Sequence, residues 1–209
     1  MKVVKDGPIK TAIFDMDGTI YQLDGDNGGW KNSTLQKIVK VNSAKLVAKR
    51  ENISLTKAKY IIDELNQKGT FLSLYAVEKY NITRKEFFDE VWNINAESIV
   101  TNYKEALEVI TELAKIKIEL ILLTQAPQVW QKNVFSFLGL HNIFNEIHTG
   151  ENFLHKTDVF PLIAKSRNPQ TVLAIGDQLD TDITPAAKEG FCTFHVTSPL
   201  DLLKLVNDA

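Results

Sequence analysis

Residues 13–20 are Ile-Phe-Asp-Met-Asp-Gly-Thr-Ile, and an apolar run that begins at Thr11 leads directly into the two carboxylates and the glycine. A strand that is apolar at consecutive positions is covered on both faces, so we predict a central, parallel strand here. Ligands of parallel α/β sheets bind beyond the carboxyl ends of the strands. Asp15 and Asp17 are therefore expected at a functional edge, although an Asp-Gly turn that only solvates a strand end would have the same sequence.

Composition limits the possible classes of protein. The chain has 209 residues, 44% of them hydrophobic, which suffices for one large domain or for a core with an insertion. Its net charge is −2, from 24 basic and 26 acidic residues, which argues against a nucleic-acid polymer as partner. Lys2 and Lys5 interrupt the N-terminal segment, and no apolar run could span a bilayer, so we predict a cytoplasmic protein without a membrane partner. The single cysteine, Cys192, excludes an internal disulfide and is expected to be buried.

The segment from residue 33 to about residue 94 has apolar residues at helical spacing and no convincing strand. Within it, Thr83-x-x-Glu86 predicts a capping box at the start of a helix. About four helices are expected, and they interrupt an alternation of strands and helices, which is typical of an insertion. The predicted organisation is a Rossmann-like core, residues 1–22 and 102–209, with an all-helical insertion, residues 23–101.

The alternation after the insertion predicts an α/β fold with a doubly wound parallel sheet. Asn102 is expected to cap the first helix of this part, and Ser198-Pro199 to open a final helix. The predicted strands are Glu119 to Thr124, Phe144 to Thr149, Thr171 to Ile175 and Phe191 to Val196.

Polar side chains end three of these strands. Asp15, Thr124 and Asp177 would meet at one edge of the sheet. Carboxylates held close together repel each other unless a cation lies between them, and Mg²⁺ is the hard cation that oxygen ligands favour. The hydroxyl of Thr124 and the ammonium of Lys156, which precedes a predicted helix, add donors for a phosphate. The sequence therefore predicts Asp15 and Asp177 as ligands of Mg²⁺ and a site for phosphoryl chemistry.

These residues resemble the four motifs of the haloacid dehalogenase-like hydrolase superfamily, and the helical segment resembles its cap. The motif residues are Asp15-Met16-Asp17-Gly18-Thr19, Thr124, Lys156, and Gly176-Asp177 with Asp182. The resemblance implies a Mg²⁺-dependent phosphomonoester hydrolase that acts on a small soluble phosphorylated metabolite. Asp-x-Asp-Gly-Thr-Ile-Tyr together with a helical cap is similar to pyrimidine 5'-nucleotidase-like and phosphoglycolate phosphatase-like members.

The resemblance also implies a role for each motif residue. Asp15 would be the nucleophile that forms an aspartyl-phosphate, and Asp17 the general acid, with its backbone carbonyl on the metal. Thr124 and Lys156 would bind the transferring phosphate oxygens. Asp177 would ligate Mg²⁺, and Asp182 would belong to the same metal site, where it would orient the ligands or a bound water. An acidic residue at a helix start is the alternative interpretation of Asp182.

Other interpretations remain open at this point. Phosphomutases of the same fold retain both Asp15 and Asp17, whereas dehalogenases lack an acid at the position of Asp17. A signalling receiver domain or a non-catalytic phosphate-binding protein would also place an Asp, a Thr and a Lys at strand ends. Lys156 is followed by Thr157, where many members of the superfamily have proline, and Gln125 is a candidate specificity residue. The apolar cap helices fit a monomer or a dimer equally well.

Overall fold

The structure, a computed structural model, describes residues 9–206; the N-terminal lysines Lys2 and Lys5 lie outside this range. Five strands form one parallel sheet: β1 Thr11–Phe14, β2 Glu119–Leu123, β3 Glu146–His148, β4 Val172–Gly176 and β5 Cys192–His195. Their order in the sheet is β3-β2-β1-β4-β5, with every neighbouring pair parallel. The strand before the two carboxylates is thus central, as the sequence predicted.

Eight α-helices accompany the sheet in the described part of the chain. They are α1 Thr34–Glu51, α2 Leu55–Gln67, α3 Leu72–Tyr80, α4 Arg84–Trp92, α5 Lys104–Lys115, α6 Gln128–Leu138, α7 Phe160–Ser166 and α8 Thr184–Lys188. Short 3₁₀ helices lie at Asp26–Gly28, Lys156–Asp158, Pro169–Thr171 and Pro199–Leu205, and a π-helical turn at Leu179–Ile183. None of the helices within residues 9–206 is long and apolar enough to cross a bilayer.

Strand β1 shows why the sheet is covered on both faces. All four of its residues are buried. Ala12 and Phe14 belong to a hydrophobic cluster that includes residues of α5 and α6, while Ile13 belongs to a second cluster with residues of α7 and α8. Successive side chains of a strand point to opposite faces, so a run of apolar residues can bury itself only between two helical layers. The doubly wound α/β fold is therefore confirmed.

Helices α1 to α4 form the helical cap inserted after β1. Thr83 and Glu86 make the predicted capping box at the start of α4, and the Ser54 side chain accepts a hydrogen bond from Lys57 N at the start of α2. A cluster formed by Ala44, Val47, Ala58 and Ile62 joins α1 to α2. The cap is an all-helical insertion, while the exact domain boundaries at residues 22/23 and 101/102 remain predictions.

Two local predictions at the strand and helix ends are wrong. Cys192 is exposed, because it lies on β5 at the edge of the sheet, where only β4 pairs with the strand. Asn102 does not cap a helix: α5 begins at Lys104, and Tyr103 occupies the capping position without a side-chain capping bond. The pairing of Thr101 with Gln22 in an isolated bridge precedes this helix start.

The C-terminal helix also differs in type from the expectation. Ser198 opens it as predicted, with a capping box to Asp201, but residues Pro199–Leu205 form a 3₁₀ helix. Leu202 and Leu205 are buried in the main hydrophobic cluster, so the segment still covers one face of the sheet next to α5. Three-residue periodicity places these two leucines on one side of a 3₁₀ helix, which suits this packing.

Candidate functional site

Asp15 follows β1 directly and is buried at the carboxyl edge of the sheet. Its backbone N–H donates to the carbonyl of Ile175 in β4 at 2.9 Å, so the strand pairing sets its position. Its side chain accepts two hydrogen bonds, one from Lys156 Nζ to Oδ1 at 2.7 Å and one from Thr19 Oγ1 to Oδ2 at 3.2 Å. The carboxylate is thus held in one orientation by groups from two separate segments.

Lys156 is a buried cation between two buried carboxylates. Its ammonium also forms a close ion pair with Asp182 Oδ1, whose other oxygen accepts a hydrogen bond from Gln178 N at 3.0 Å. Burial alone would lower the pKa of Lys156, but the charges of Asp15 and Asp182 outweigh it and raise that pKa above its usual range. Lys156 therefore stays protonated, and the predicted phosphate-binding group is a permanent positive charge.

Asp177 follows β4 and faces the same cluster. Its Oδ1 atom is buried without a hydrogen-bond partner, the one side-chain oxygen or nitrogen in residues 9–206 in that state. Carboxylate oxygens of Asp15, Asp177 and Asp182 all lie within 4.8 Å of one another. Three carboxylates against one lysine leave an excess of negative charge, and a divalent cation with oxygen ligands compensates both the charge and the unpartnered oxygen. This donor set fits Mg²⁺.

The pKa values of Asp177 and Asp182 show that ionising these clustered carboxyl groups is unfavourable without a cation. Burial, and then the charges of Asp15 and Asp182, raises the pKa of Asp177 from its usual 3.8 to about 8. Burial and the charge of Asp15 also raise the pKa of Asp182, because they outweigh its ion pair with Lys156. A bound cation would reverse these shifts, since it favours the ionised carboxylates.

Two glycines make room for this arrangement. Gly18 has φ +87°, and a Cβ atom there would lie 2.5 Å from Asp177 Oδ2. A Cβ atom at Gly176 would lie 2.4 Å from Asp182. Both contacts are too short for any side chain, so the Asp-Gly and Gly-Asp pairs of the sequence are needed to bring the strand ends and their carboxylates together.

Asp17 lies two residues after Asp15 but has different partners. Its Oδ1 accepts a close hydrogen bond from the Tyr21 hydroxyl and one from Trp130 Nε1 at 3.2 Å. Burial raises the pKa of Asp17, the hydrogen bond from Tyr21 lowers it, and the charge of Asp15 raises it further, with a net result of about 6. Asp17 can therefore hold a proton near neutral pH, next to Asp15, whose side chain is bound by Lys156.

Thr124 lies just beyond β2, buried, as the sequence predicted. Its hydroxyl accepts a hydrogen bond from Ala126 N at 3.1 Å, so the hydroxyl proton is available to a ligand. The next residue, Gln125, braces the loop that carries the lysine. Its amide accepts from Lys156 N at 3.1 Å and donates to the carbonyl of Leu154 at 2.9 Å.

These groups open into a cavity of about 460 Å³ between the core and the cap. Asp15, Asp17, Thr124 and Lys156 line it from the core, and cap residues from α1 to α4 line it from the other side. The structure thus brings together all six predicted site residues: four in the cavity wall, and Asp177 and Asp182 in the carboxylate cluster with Asp15.

Three functional contacts were not expected from the sequence. Tyr21 and Trp130, both fully buried, hold Asp17, and Arg84 joins the cap to the core by donating to backbone carbonyls of residues 150, 151 and 153. Trp130 is 113 residues from Asp17, and Arg84 is 66 residues or more from these three carbonyls, so no local pattern connects them. Thr19, in contrast, belongs to the Asp-x-Asp-Gly-Thr motif, so the sequence did carry a signal for its place beside Asp15.

A comparison with protein families matches residues 9–190 to the haloacid dehalogenase-like hydrolases. The chain belongs to this family. The comparison with curated proteins found no match for this hydrolase. Among solved structures, it is similar to a HAD phosphatase from Thermococcus onnurineus, with a TM-score of 0.62 and 14% identity over 95% of this chain and 98% of the other.

Two further structures resemble this hydrolase. A HAD family enzyme from Bacteroides thetaiotaomicron, in its magnesium complex, has a TM-score of 0.56 and 16% identity over 96% of this chain and 100% of the other. A dehalogenase has a TM-score of 0.53 and 14% identity over 96% and 98% of the two chains. At these identities the likeness establishes the shared fold, and the reaction must be argued from the residues of the site.

Proposed function

We propose that this hydrolase is a Mg²⁺-dependent phosphatase that releases phosphate from a small phosphomonoester through an aspartyl-phosphate on Asp15. The observation that carries the proposal is Asp17, a carboxyl group with a pKa near 6 that lines the same cavity as the nucleophile. A departing alkoxide needs a proton, whereas a departing halide does not. An acid at this position therefore favours phosphate esters over haloacids as substrates.

In the first step, a carboxylate oxygen of Asp15 attacks the phosphorus in line with the ester oxygen. The bond between phosphorus and the ester oxygen breaks, and Asp17 transfers its proton to that oxygen as the alcohol leaves. The ammonium of Lys156, which lies 2.7 Å from Asp15 Oδ1, and the hydroxyl of Thr124 bind the oxygens of the transferring phosphoryl group.

In the second step, the carboxylate of Asp17 takes a proton from a water molecule, which attacks the phosphorus of the aspartyl-phosphate. The bond between phosphorus and Asp15 breaks, and phosphate and the free carboxylate are regenerated. Asp15, Asp177 and the backbone carbonyl of Asp17 would hold Mg²⁺, and Asp182 would orient these ligands. The ion would supply positive charge that neutralises the phosphate oxygens. The unpartnered oxygen of Asp177 supports this ligand set.

The test measures phosphate release from a generic aryl phosphate by the wild type, Asp15→Asn, Asp17→Asn and Asp180→Asn, with Mg²⁺ or with a chelator. Asp180 is exposed and lies on the same π-helical turn as Asp182, so its variant is a matched control for removing a negative charge. We expect chelation and Asp15→Asn to abolish release, Asp17→Asn to reduce it about 10²-fold or more, and Asp180→Asn to leave it unchanged. Release that persists in Asp15→Asn would contradict the proposal, and transfer of phosphate to an alcohol without release would indicate a mutase.

A further inference from the structure

The cap side of the cavity carries several aromatic side chains. The indoles of Trp30 and Trp92 stack with ring centroids 5.0 Å apart and planes 15° from parallel. Both residues are only partly buried, so the stack borders the cavity without being sealed in the core. Five aromatic side chains line the cavity: Trp30, Phe71, Phe87, Phe88 and Trp92.

Phe71 lies where the cap meets the loop that carries Lys156. It precedes α3, is 40% exposed, and packs edge-to-face on His155 with ring centroids 5.3 Å apart. His155 is the residue before Lys156. An exposed phenylalanine beside a cavity leaves apolar surface in water, and a flat ring bound next to it would cover that surface. Phe71 is therefore placed to contact a group that is attached directly to a phosphate bound by Lys156.

Within residues 9–206, the cavity offers a second acidic group no lysine or arginine that is free of other partners. Among the described residues, Lys156 and Arg84 are the lysine and arginine side chains that line it. Lys156 is paired with Asp15 and Asp182.

The guanidinium of Arg84 is occupied as well. It donates to the carbonyl of Gly150 in a close contact, to those of Glu151 and Phe153 at 3.1 and 3.2 Å, and to Ser73 Oγ at 3.4 Å. Four of its five N–H donors are therefore used, three of them to hold the cap on the core and one within the cap. A carboxylate or second phosphate of a substrate would therefore enter the cavity without a free lysine or arginine to neutralise its charge, which costs binding free energy.

We propose, on the basis of the phosphatase reaction proposed above, that the substrate is a phosphomonoester whose alcohol carries an aromatic or heteroaromatic ring and no second acidic group. Phe71 is the residue that selects the ring. A cavity of about 460 Å³ is large enough for a phosphate with a ring system of one or two rings. Sugar phosphates lack the flat apolar surface, and phosphorylated acids such as phosphoglycolate bring the second charge.

The experiment compares kcat/KM for benzyl phosphate, glucose 6-phosphate and phosphoglycolate in the presence of Mg²⁺. All three are esters of primary alcohols, so differences report recognition of the leaving group more than its reactivity. We expect benzyl phosphate to exceed the other two by about 10-fold or more. In Phe71→Ala the ratio of benzyl phosphate to glucose 6-phosphate should fall about fivefold, the size of one lost aromatic contact. Tyr60→Ala removes an aromatic ring that is 72% exposed and outside the cavity wall, and should leave the ratio unchanged.

Equilibrium binding separates this inference from the phosphatase reaction. Calorimetric titration of Asp15→Asn with benzyl phosphate, phosphoglycolate and inorganic phosphate measures recognition without turnover. If the wild type hydrolyses no ester, the proposed function fails, while tighter binding of benzyl phosphate would still support the aromatic site. If esters are hydrolysed but phosphoglycolate or glucose 6-phosphate equals benzyl phosphate, or Phe71→Ala leaves the ratio unchanged, the substrate class is overturned and the phosphatase stands.

Discussion

Removing divalent cations should make the folding stability of this hydrolase fall as the pH rises. Burial and the charges of Asp15 and Asp182 raise the pKa of Asp177 from 3.8 to about 8 in the native state. A carboxyl group with a raised pKa keeps its proton in the folded protein after the unfolded chain has released it. Between about pH 4 and pH 8 the native state therefore binds more protons than the unfolded state, and the free energy of unfolding falls with increasing pH.

The expected size follows from the shift. One pH unit within this window costs the metal-free protein up to about 1.4 kcal/mol for a single group. Partial exposure of Asp177 to solvent reduces this figure, so from pH 5 to pH 7.5 we expect a loss of about 2–3 kcal/mol. For a chain of this length, 1 kcal/mol corresponds to about 2–4 °C in Tm, so Tm should fall by about 5–10 °C.

The assay is thermal unfolding followed by circular dichroism at pH 5, 6, 7 and 7.5, in a chelator and in excess Mg²⁺. Mg²⁺ at 100 times its Kd stabilises the folded state by about 2.7 kcal/mol. Its effect on Tm should be larger at pH 7.5 than at pH 5, because protons compete with the metal for the carboxylates. Asp177→Asn, which removes the titrating group, should weaken the pH dependence in the chelator and raise Tm at pH 7.5, whereas Asp180→Asn should match the wild type.

A metal-free Tm that stays level or rises from pH 5 to pH 7.5 would refute the reasoning. So would an Asp177→Asn variant with the same pH dependence as the wild type, because the charge cluster would then not be the source of the effect. Equal stabilisation by Mg²⁺ at both pH values would show that the cation does not bind to these carboxylates.

Three further substitutions test single contacts. Gly18→Ala should weaken Mg²⁺ binding about 10-fold or more, because the added Cβ would displace Asp177. The measurement is a titration of Tm with Mg²⁺. Gly69→Ala, at φ +68° with no atom within 4 Å, is the control for backbone strain and should leave the affinity unchanged. Tyr21→Phe removes a hydrogen bond that lowers the pKa of Asp17, so the loss of kcat/KM above about pH 6 should move to higher pH for an alkyl phosphate, and an unmoved profile would contradict the assigned acid. Arg84→Gln should lower the free energy of unfolding, measured in urea, by about 1.5–3 kcal/mol, because three backbone carbonyls lose their donor. Arg50→Gln, which breaks an exposed ion pair, should lower it by about 1 kcal/mol or less.

Most of the fold could be predicted because its signals are local. The apolar run from Thr11 to Phe14 can be buried only as a strand covered on both faces, and the capping box at Thr83 starts a helix wherever the segment lies. The errors occurred where the environment of a residue depends on distant segments. Cys192 is exposed because no strand covers the outer edge of β5, and nothing in its own neighbourhood encodes that.

The site was predictable in its residues but not in its contacts. Asp15, Asp17 and Asp177 follow apolar strands, Asp17 and Asp177 directly beside a glycine, and the register of parallel strands brings such ends to one edge. For Asp182, the sequence favoured a member of the metal site, but it left a plain helix-start residue open as the alternative. Its burial beside Lys156 places it in the cluster.

The amino-acid sequence alone thus determines the succession of strands and helices along the chain, the burial of β1 on both faces, and which acidic residues form the site. These depend on backbone geometry and side-chain polarity within a few residues. Only the tertiary structure decides which oxygen of Asp177 lacks a partner, that Trp130 holds Asp17, and that Arg84 is committed to the core. These features depend on residues far apart in the chain, which the fold of the core and the packing of the cap on it bring together.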